Sequence, residues 1–214
     1  MKGADAEALG TAFLLAAVVG SGIMGERLSG GNAALTLLAN SLATGGALFA
    51  LIVAFAPRSG AHFNPAVTLA FALRRELPVR QVVPYLVAQF AGAIGGVIAA
   101  HAMFDVPLVQ SYALPRTGWA QWWSELVATF GLVFIILSCR SEERWAAPAA
   151  VGAYIAAAYW FTASTSFANP AVTLARAFTG TFSGIRPADV LPFIGAQLAG
   201  AMLAVLAAGR KQAV

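Results

Sequence analysis

Two asparagines, Asn64 and Asn169, carry side chains well suited to binding a solute in an apolar environment. Each begins the heptapeptide Asn-Pro-Ala-Val-Thr-Leu-Ala, which spans residues 64–70 and recurs at 169–175. A primary amide offers N–H donors without a charge, so it binds hydroxyl-bearing molecules without attracting ions. Asn is also a favoured N-cap and Pro a favoured first helical residue, so each heptapeptide is predicted to begin a helix. The alternative is that both asparagines serve only as caps.

Two glutamates, Glu7 and Glu125, lie in long apolar segments and are each followed four residues later by threonine. Acidic groups at membrane depth are functional candidates by default. They could form a proton relay in a carrier, or they could accept backbone N–H groups that irregular segments leave free. We favour the bracing role because no further acid or base lies at mid-membrane depth. Gln89 and Gln197 hold matching places in a second repeated segment and are expected to hold the same loops.

The surrounding chain is composed like a membrane protein. It is 59% hydrophobic and 10% charged, whereas about a quarter of a soluble domain is charged. Apolar runs long enough to cross a bilayer predict six transmembrane helices. These runs lie near residues 8–26, 34–56, 82–104, 123–139, 146–163 and 188–208. The predicted fold class is therefore an all-α membrane protein.

The repeated motifs divide the chain into two copies of one unit within a single domain, residues 1–214. Repeat one covers about 5–104 with a half-helix at 64–73, and repeat two covers about 120–208 with a half-helix at 169–178. About ten residues follow each Asn, roughly half of a bilayer crossing. Each half contains three spans, and because three is odd the second half enters from the opposite side. The N-termini of two re-entrant half-helices are therefore expected to face each other near the midplane.

The basic residues predict the orientation in the membrane. Nine lie on one side of the membrane and four on the other. By the positive-inside rule the side with nine faces the cytoplasm, so both termini are expected on the cytoplasmic side of a cell (inner or plasma) membrane. The nine are Lys2, Arg58, Arg74, Arg75, Arg80, Arg140, Arg144, Arg210 and Lys211. The four are Arg27, Arg116, Arg176 and Arg186. The basic residues behind the net charge of +4 therefore indicate the orientation of the chain in the membrane, and no nucleic-acid partner is expected.

With these motifs, the chain resembles the aquaporin and aquaglyceroporin family of channels. The resemblance covers roughly residues 5–208 and rests on the two motifs, the paired glutamates and the paired glutamines. The motif residues are Asn64, Pro65, Ala66, Asn169, Pro170 and Ala171. The resemblance implies a homotetramer in the lipid bilayer with one pore through each subunit. Water and small uncharged solutes would pass through that pore.

The resemblance also locates a selectivity constriction, from which this chain departs. Most family members have arginine after the second Pro-Ala, where this chain has Val172. Carried over by spacing, the other constriction positions are Thr44, Ala157 and Ser166. A register error would instead place an aromatic residue from the Tyr-Trp-Phe segment 159–161 beside them. Thr44 and Ala157 have a second interpretation as small residues of helix packing.

Three further residues have open roles. Arg176, one helical turn after Val172, could replace the missing arginine in the outer vestibule, or it could snorkel or pair with a loop carbonyl. His62 is expected to line the inner vestibule, as its family counterpart does, or to be a neutral packing residue. Cys139 is interpreted as a packing residue. As the only cysteine, it excludes an intramolecular disulfide and a multi-cysteine metal cluster.

Nothing in the sequence indicates an enzyme, a cofactor or a metal site. No phosphate loop, nucleophile with a paired base or helical pair of metal ligands is found. The leading hypothesis is a passive channel for water, glycerol-like polyols and metalloid hydroxides such as arsenous acid. Family members with valine at the arginine position resemble those associated with arsenic resistance. The alternative is a coupled secondary transporter of a small solute.

Overall fold

The computed structural model describes residues 1–139 and 144–209, and every regular element in these ranges is helical. Arg140, Arg210 and Lys211 of the charge count lie outside the described residues. The helices are α1 (Gly3–Leu28), α2 (Ala33–Ser59), α3 (Pro65–Leu73), α4 (Val79–Met103), α5 (Trp119–Ser138), α6 (Ala146–Phe161), α7 (Pro170–Ala175) and α8 (Pro187–Ala207). A 3₁₀ turn, Arg176–Phe178, continues α7.

Six of these helices correspond to the six apolar runs of the sequence. Five have 20 to 27 residues and are apolar enough to cross a bilayer. The sixth, α6, is shorter at 16 residues. The two remaining helices, α3 and α7, have 9 and 6 residues and begin at the prolines of the repeated motifs. The all-α membrane fold with two half-helices is confirmed.

The inverted repeat is visible in the packing. Helix α1 packs on α4 in the first half, and α5 packs on α8 in the second. Each contact depends on a glycine: a Cβ atom at Gly92 would lie 2.1 Å from the Ala8 carbonyl oxygen, and one at Gly200 would lie 2.3 Å from that of Leu126. Gly92 and Gly200 occupy equivalent positions in the repeated segments that contain Gln89 and Gln197, so the helices of both halves approach each other in the same way.

Contacts at the helix ends identify the two ends of the bundle, here called proximal (the end with Gly3) and distal (the end with Arg27). At the proximal end, Gly3 lies against Tyr85, and Arg74 donates a hydrogen bond to the Gly209 carbonyl. At the distal end, Arg27 donates to the carbonyl of Phe104. Helix α3 ends at the proximal end and α7 at the distal end. Their N-termini therefore meet in the interior.

Candidate functional site

The two asparagines hold the two half-helices together at their N-termini. Asn64 Oδ1 accepts from the Ala66 N–H at 2.9 Å, and Asn169 Oδ1 accepts from the Ala171 N–H at 2.9 Å, so both cap their own helix. Their amide nitrogens bond across the interface: Asn64 Nδ2 donates to the carbonyl of Ala168 at 2.7 Å. In the reciprocal contact, Asn169 Nδ2 donates to the carbonyl of Phe63 at 2.8 Å.

Each amide group has two N–H bonds, and one of them makes the cross-connection. Both asparagines line an interior cavity, here called the lumen. The asparagines therefore cap their own helices and also lie on the wall of the lumen.

Glu7 holds the loop that precedes α3. Its carboxylate is fully buried and accepts hydrogen bonds from the backbone N–H groups of His62 at 3.0 Å and Phe63 at 2.6 Å. The Ser59 hydroxyl and Gln89 Nε2 donate to the same carboxylate at 2.6 and 2.8 Å. All four partners are donors, so the carboxylate acts only as an acceptor here.

Glu125 plays the equivalent part for the loop before α7. It is also fully buried and accepts from the backbone N–H groups of Phe167 and Ala168, both at 2.9 Å. Gln197 Nε2 donates to it at 2.6 Å and to Thr173 Oγ1 at 2.7 Å. The arrangement corresponds to that of Gln89, which donates to Glu7 and to Thr68 Oγ1.

These two loops need such support because their backbone is strained. The residues one and three positions before each motif asparagine have positive φ angles although none is glycine. They are Ala61 and Phe63 in the first half and Ser166 and Ala168 in the second. Each such residue costs about 1–3 kcal/mol and persists only where its surroundings fix it. The carboxylates supply those fixed contacts.

The lumen runs past both asparagines toward the distal end. Three of the four predicted constriction residues line it, namely Thr44, Ser166 and Val172. Ser166 Oγ is buried without a hydrogen-bond partner among the described residues, so it is a free group on the wall. The lumen therefore presents small side chains and hydroxyls at this level.

The placement of Ala157 in the constriction is wrong. Ala157 is exposed on the outer face of α6, and Tyr159 occupies the wall instead. Two positions along a helix rotate a side chain by about 200°, so a register error of two exchanges the inner face for the outer one. Tyr159 Oη lies 3.2 Å from Thr44 Oγ1, which links α6 to α2 beside the lumen. Trp160 and Phe161 are 49% and 56% exposed and point away.

Arg176 does not snorkel to the surface. It is 2% exposed, lines the lumen, and donates from Nε to the Ser183 carbonyl. Its guanidinium carbon lies 3.4 Å from the ring centroid of Phe167. The guanidinium of Arg116 lies 5.3 Å from the same ring. Phe167 and the contact of Arg116 with it were not predicted from the sequence, since only their neighbours matched the family pattern, whereas Tyr159 had been one of three aromatic alternatives to Ala157.

His62 lies where the lumen meets a second cavity at the proximal end. Its Nδ1 is 3.1 Å from Thr68 Oγ1, and its ring stacks on Phe71 with centroids 4.7 Å apart. It lines both cavities and is half-buried. Cys139, also half-buried, borders the second cavity.

Comparison with known proteins assigns the chain to a family. Residues 1–166 match the family described as major intrinsic protein. The chain belongs to the major intrinsic protein family. It is 58% identical over 200 residues to aquaglyceroporin AqpS of Rhizobium meliloti (strain 1021), an alignment covering 94% of this chain and 85% of that protein. It is 32% identical over 209 residues to nodulin-26 of Glycine max, covering 92% and 74% of the two chains.

The fold has a counterpart among solved structures. The X-ray structure of the aquaglyceroporin from Plasmodium falciparum superposes with a TM-score of 0.76 at 21% identity, covering 94% of this chain and 92% of that one. At this identity the likeness concerns the fold alone. Major intrinsic proteins are channels and not enzymes, so this chain is a multi-pass membrane channel for water and small solutes. Family membership decides against a coupled transporter.

Proposed function

We propose that this major intrinsic protein is a passive channel with a broad outer constriction. It conducts water, glycerol-like polyols and metalloid hydroxides such as arsenous acid. The observation that carries the proposal is Val172, a lumen-lining side chain without a charge or a hydrogen-bond donor. Thr44, Tyr159 and Ser166 line the same lumen, and their hydroxyls offer hydrogen bonds to a hydroxylated solute in place of part of its hydration shell.

The filter proposal is tested by Val172→Arg in purified proteoliposomes. The long side chain would fill space that Val leaves open. Its guanidinium, about 6 Å from the lumen axis, would also raise the electrostatic barrier to a cation by roughly 3 kcal/mol at an effective dielectric of about 20. Stopped-flow measurements would compare water, glycerol, urea and arsenous acid. We expect glycerol and arsenous acid fluxes to fall about tenfold or more relative to water flux.

Val172→Ala is the matched control, since it changes the same position without adding bulk or charge. It should leave the ratio of glycerol to water flux at or above the native value. If Val172→Arg changes neither flux in folded protein, Val172 does not border the constriction. Equal loss of both fluxes would mean that the native pore is too narrow for the proposed solutes.

We further infer a homotetramer with one lumen per subunit. Large apolar side chains on the outer faces of α1, α2 and α6 are exposed, among them Phe13, Leu38, Leu42 and Trp160. Contiguous exposed apolar area of this kind is suited to contact with lipid and with another subunit. The mass of the purified particle, corrected for bound detergent, tests this: a monomeric mass with intact water flux would refute the tetramer.

We propose that both termini lie on the cytoplasmic side of the cell membrane. The proximal end carries Lys2, Arg58, Arg74, Arg75, Arg80 and Arg144 among the described residues. An excess of basic residues favours the cytoplasmic side. Fusing a reporter that is active only in the cytoplasm to the C-terminus tests the orientation. An inactive reporter on a conducting channel would reverse it.

A further inference from the structure

Arg176 is a buried cation whose hydrogen-bonding capacity is largely unused. Its Nε donates to the Ser183 carbonyl, whereas Nη1 is buried and has no partner among the described residues. No ion pair is found for Arg176 in the part of the chain that the structure describes. A guanidinium has five N–H donors, and leaving buried donors and a buried charge without partners is costly. The arrangement calls for an acceptor that the protein itself does not supply.

The guanidinium is nevertheless held firmly in one orientation. Its guanidinium carbon lies 3.4 Å from the centroid of the Phe167 ring, and the guanidinium carbon of Arg116 lies 5.3 Å from the same centroid. Arg116 is anchored in turn, because its Nε donates to the Gly184 carbonyl at 2.9 Å. Phe167 is fixed by the hydrogen bond from its N–H to Glu125. Stacking, the Ser183 carbonyl and the Glu125 brace together hold Arg176 on the wall.

The position of Arg176 relative to the lumen indicates what the missing acceptor is. Arg176 follows Val172 by four residues, so the two lie about one turn apart on the same side of α7 and its 3₁₀ continuation. Both line the lumen together with Tyr159. The acceptor that can reach the guanidinium from this side is therefore an oxygen atom of a passing solute.

We propose that Arg176 is a specificity-determining residue of the outer constriction, where its free N–H groups donate to the oxygen atoms of permeating solutes. The proposal rests on the proposed channel function and adds a substrate class. Neutral, oxygen-rich molecules are favoured because they accept these hydrogen bonds, and cations are opposed by the fixed positive charge. Because the guanidinium lies one turn beyond Val172, it does not narrow the lumen beside Val172.

The test compares Arg176→Gln, Arg176→Lys and the native channel in proteoliposomes, using sodium and proton leak, water flux and glycerol flux. At about 6 Å and an effective dielectric of about 20, removing the charge should raise cation leak about a hundredfold. Arg176→Lys retains the charge but not the planar fork, so it should keep the leak low while altering the glycerol-to-water ratio. Arg58→Gln is the matched control because Arg58 is exposed and lies outside the lumen.

Folded Arg176→Gln with native leak and a native glycerol-to-water ratio would overturn the proposal. If Arg176→Gln does not fold, Val172→Glu provides the second variant, since a carboxylate one turn away neutralises the same charge and should produce the same leak. Absence of that leak in folded Val172→Glu would equally overturn it. A native channel that passes water but no glycerol or arsenous acid would instead refute the broad-solute function, whatever the Arg176 variants show.

Discussion

The substitution Asn64→Asp tests whether the asparagines at the meeting point of the half-helices exclude cations. Oδ1 of aspartate could still cap α3, because Asn64 uses Oδ1 for the Ala66 N–H. The second aspartate oxygen would replace Nδ2, which now donates to the Ala168 carbonyl at 2.7 Å. The second aspartate oxygen and the Ala168 carbonyl oxygen are both acceptors and cannot bond to each other. The carbonyl would lose its donor, which costs about 1–3 kcal/mol of stability.

The larger effect concerns charge. The N-termini of the two half-helices each carry about half a positive charge. At about 5 Å and an effective dielectric of about 20, together they oppose a monovalent cation by roughly 3 kcal/mol. One carboxylate at the same place offsets that barrier. The sodium and proton leak of Asn64→Asp should therefore rise about a hundredfold.

The assay is ion leak into proteoliposomes under an imposed gradient, with water flux measured on the same preparation as a check of folding. Asn40→Asp is the matched control: Asn40 is buried and donates to the Val18 carbonyl at 2.8 Å, but it does not line the lumen. It should lose stability without gaining leak. If folded Asn64→Asp leaks no more than Asn40→Asp, the half-helix ends do not form the cation barrier.

Three further predictions address the brace and the lumen wall. Glu125→Gln replaces a carboxylate that accepts two backbone N–H groups and should lower the free energy of unfolding by about 3 kcal/mol, read from thermal unfolding; a loss below about 1 kcal/mol would contradict the bracing role. Tyr159→Ala should raise glycerol flux relative to water flux in stopped-flow assays, whereas Trp160→Ala, on the outer face, should not. Ser166→Cys in a Cys139→Ala background should make water flux sensitive to a mercurial, and insensitivity would show that position 166 does not border the path.

Local sequence was sufficient to locate the half-helices. Asn followed by Pro begins a helix through interactions within four residues, so the start of α3 and of α7 at Pro65 and Pro170 depended on no distant contact. The spans were equally local, because a bilayer selects long apolar runs. Repetition of an odd number of spans then required the inverted arrangement.

The wall of the lumen depended on contacts between distant segments. Spacing along the sequence placed Ala157 on the inner face of α6, whereas the structure places Tyr159 there, and this error of two residues reversed the face. The bond from Asn64 to the Ala168 carbonyl joins residues from opposite halves, so the capping pattern alone could not reveal it. Of the three positions that the sequence allowed for Arg176, burial excludes the surface one, and the structure combines the other two: the side chain lines the lumen and donates to the loop carbonyl of Ser183. Local signals such as Asn-Pro specify where helices begin, but the neighbours that pack around a narrow point decide the orientation of a side chain there.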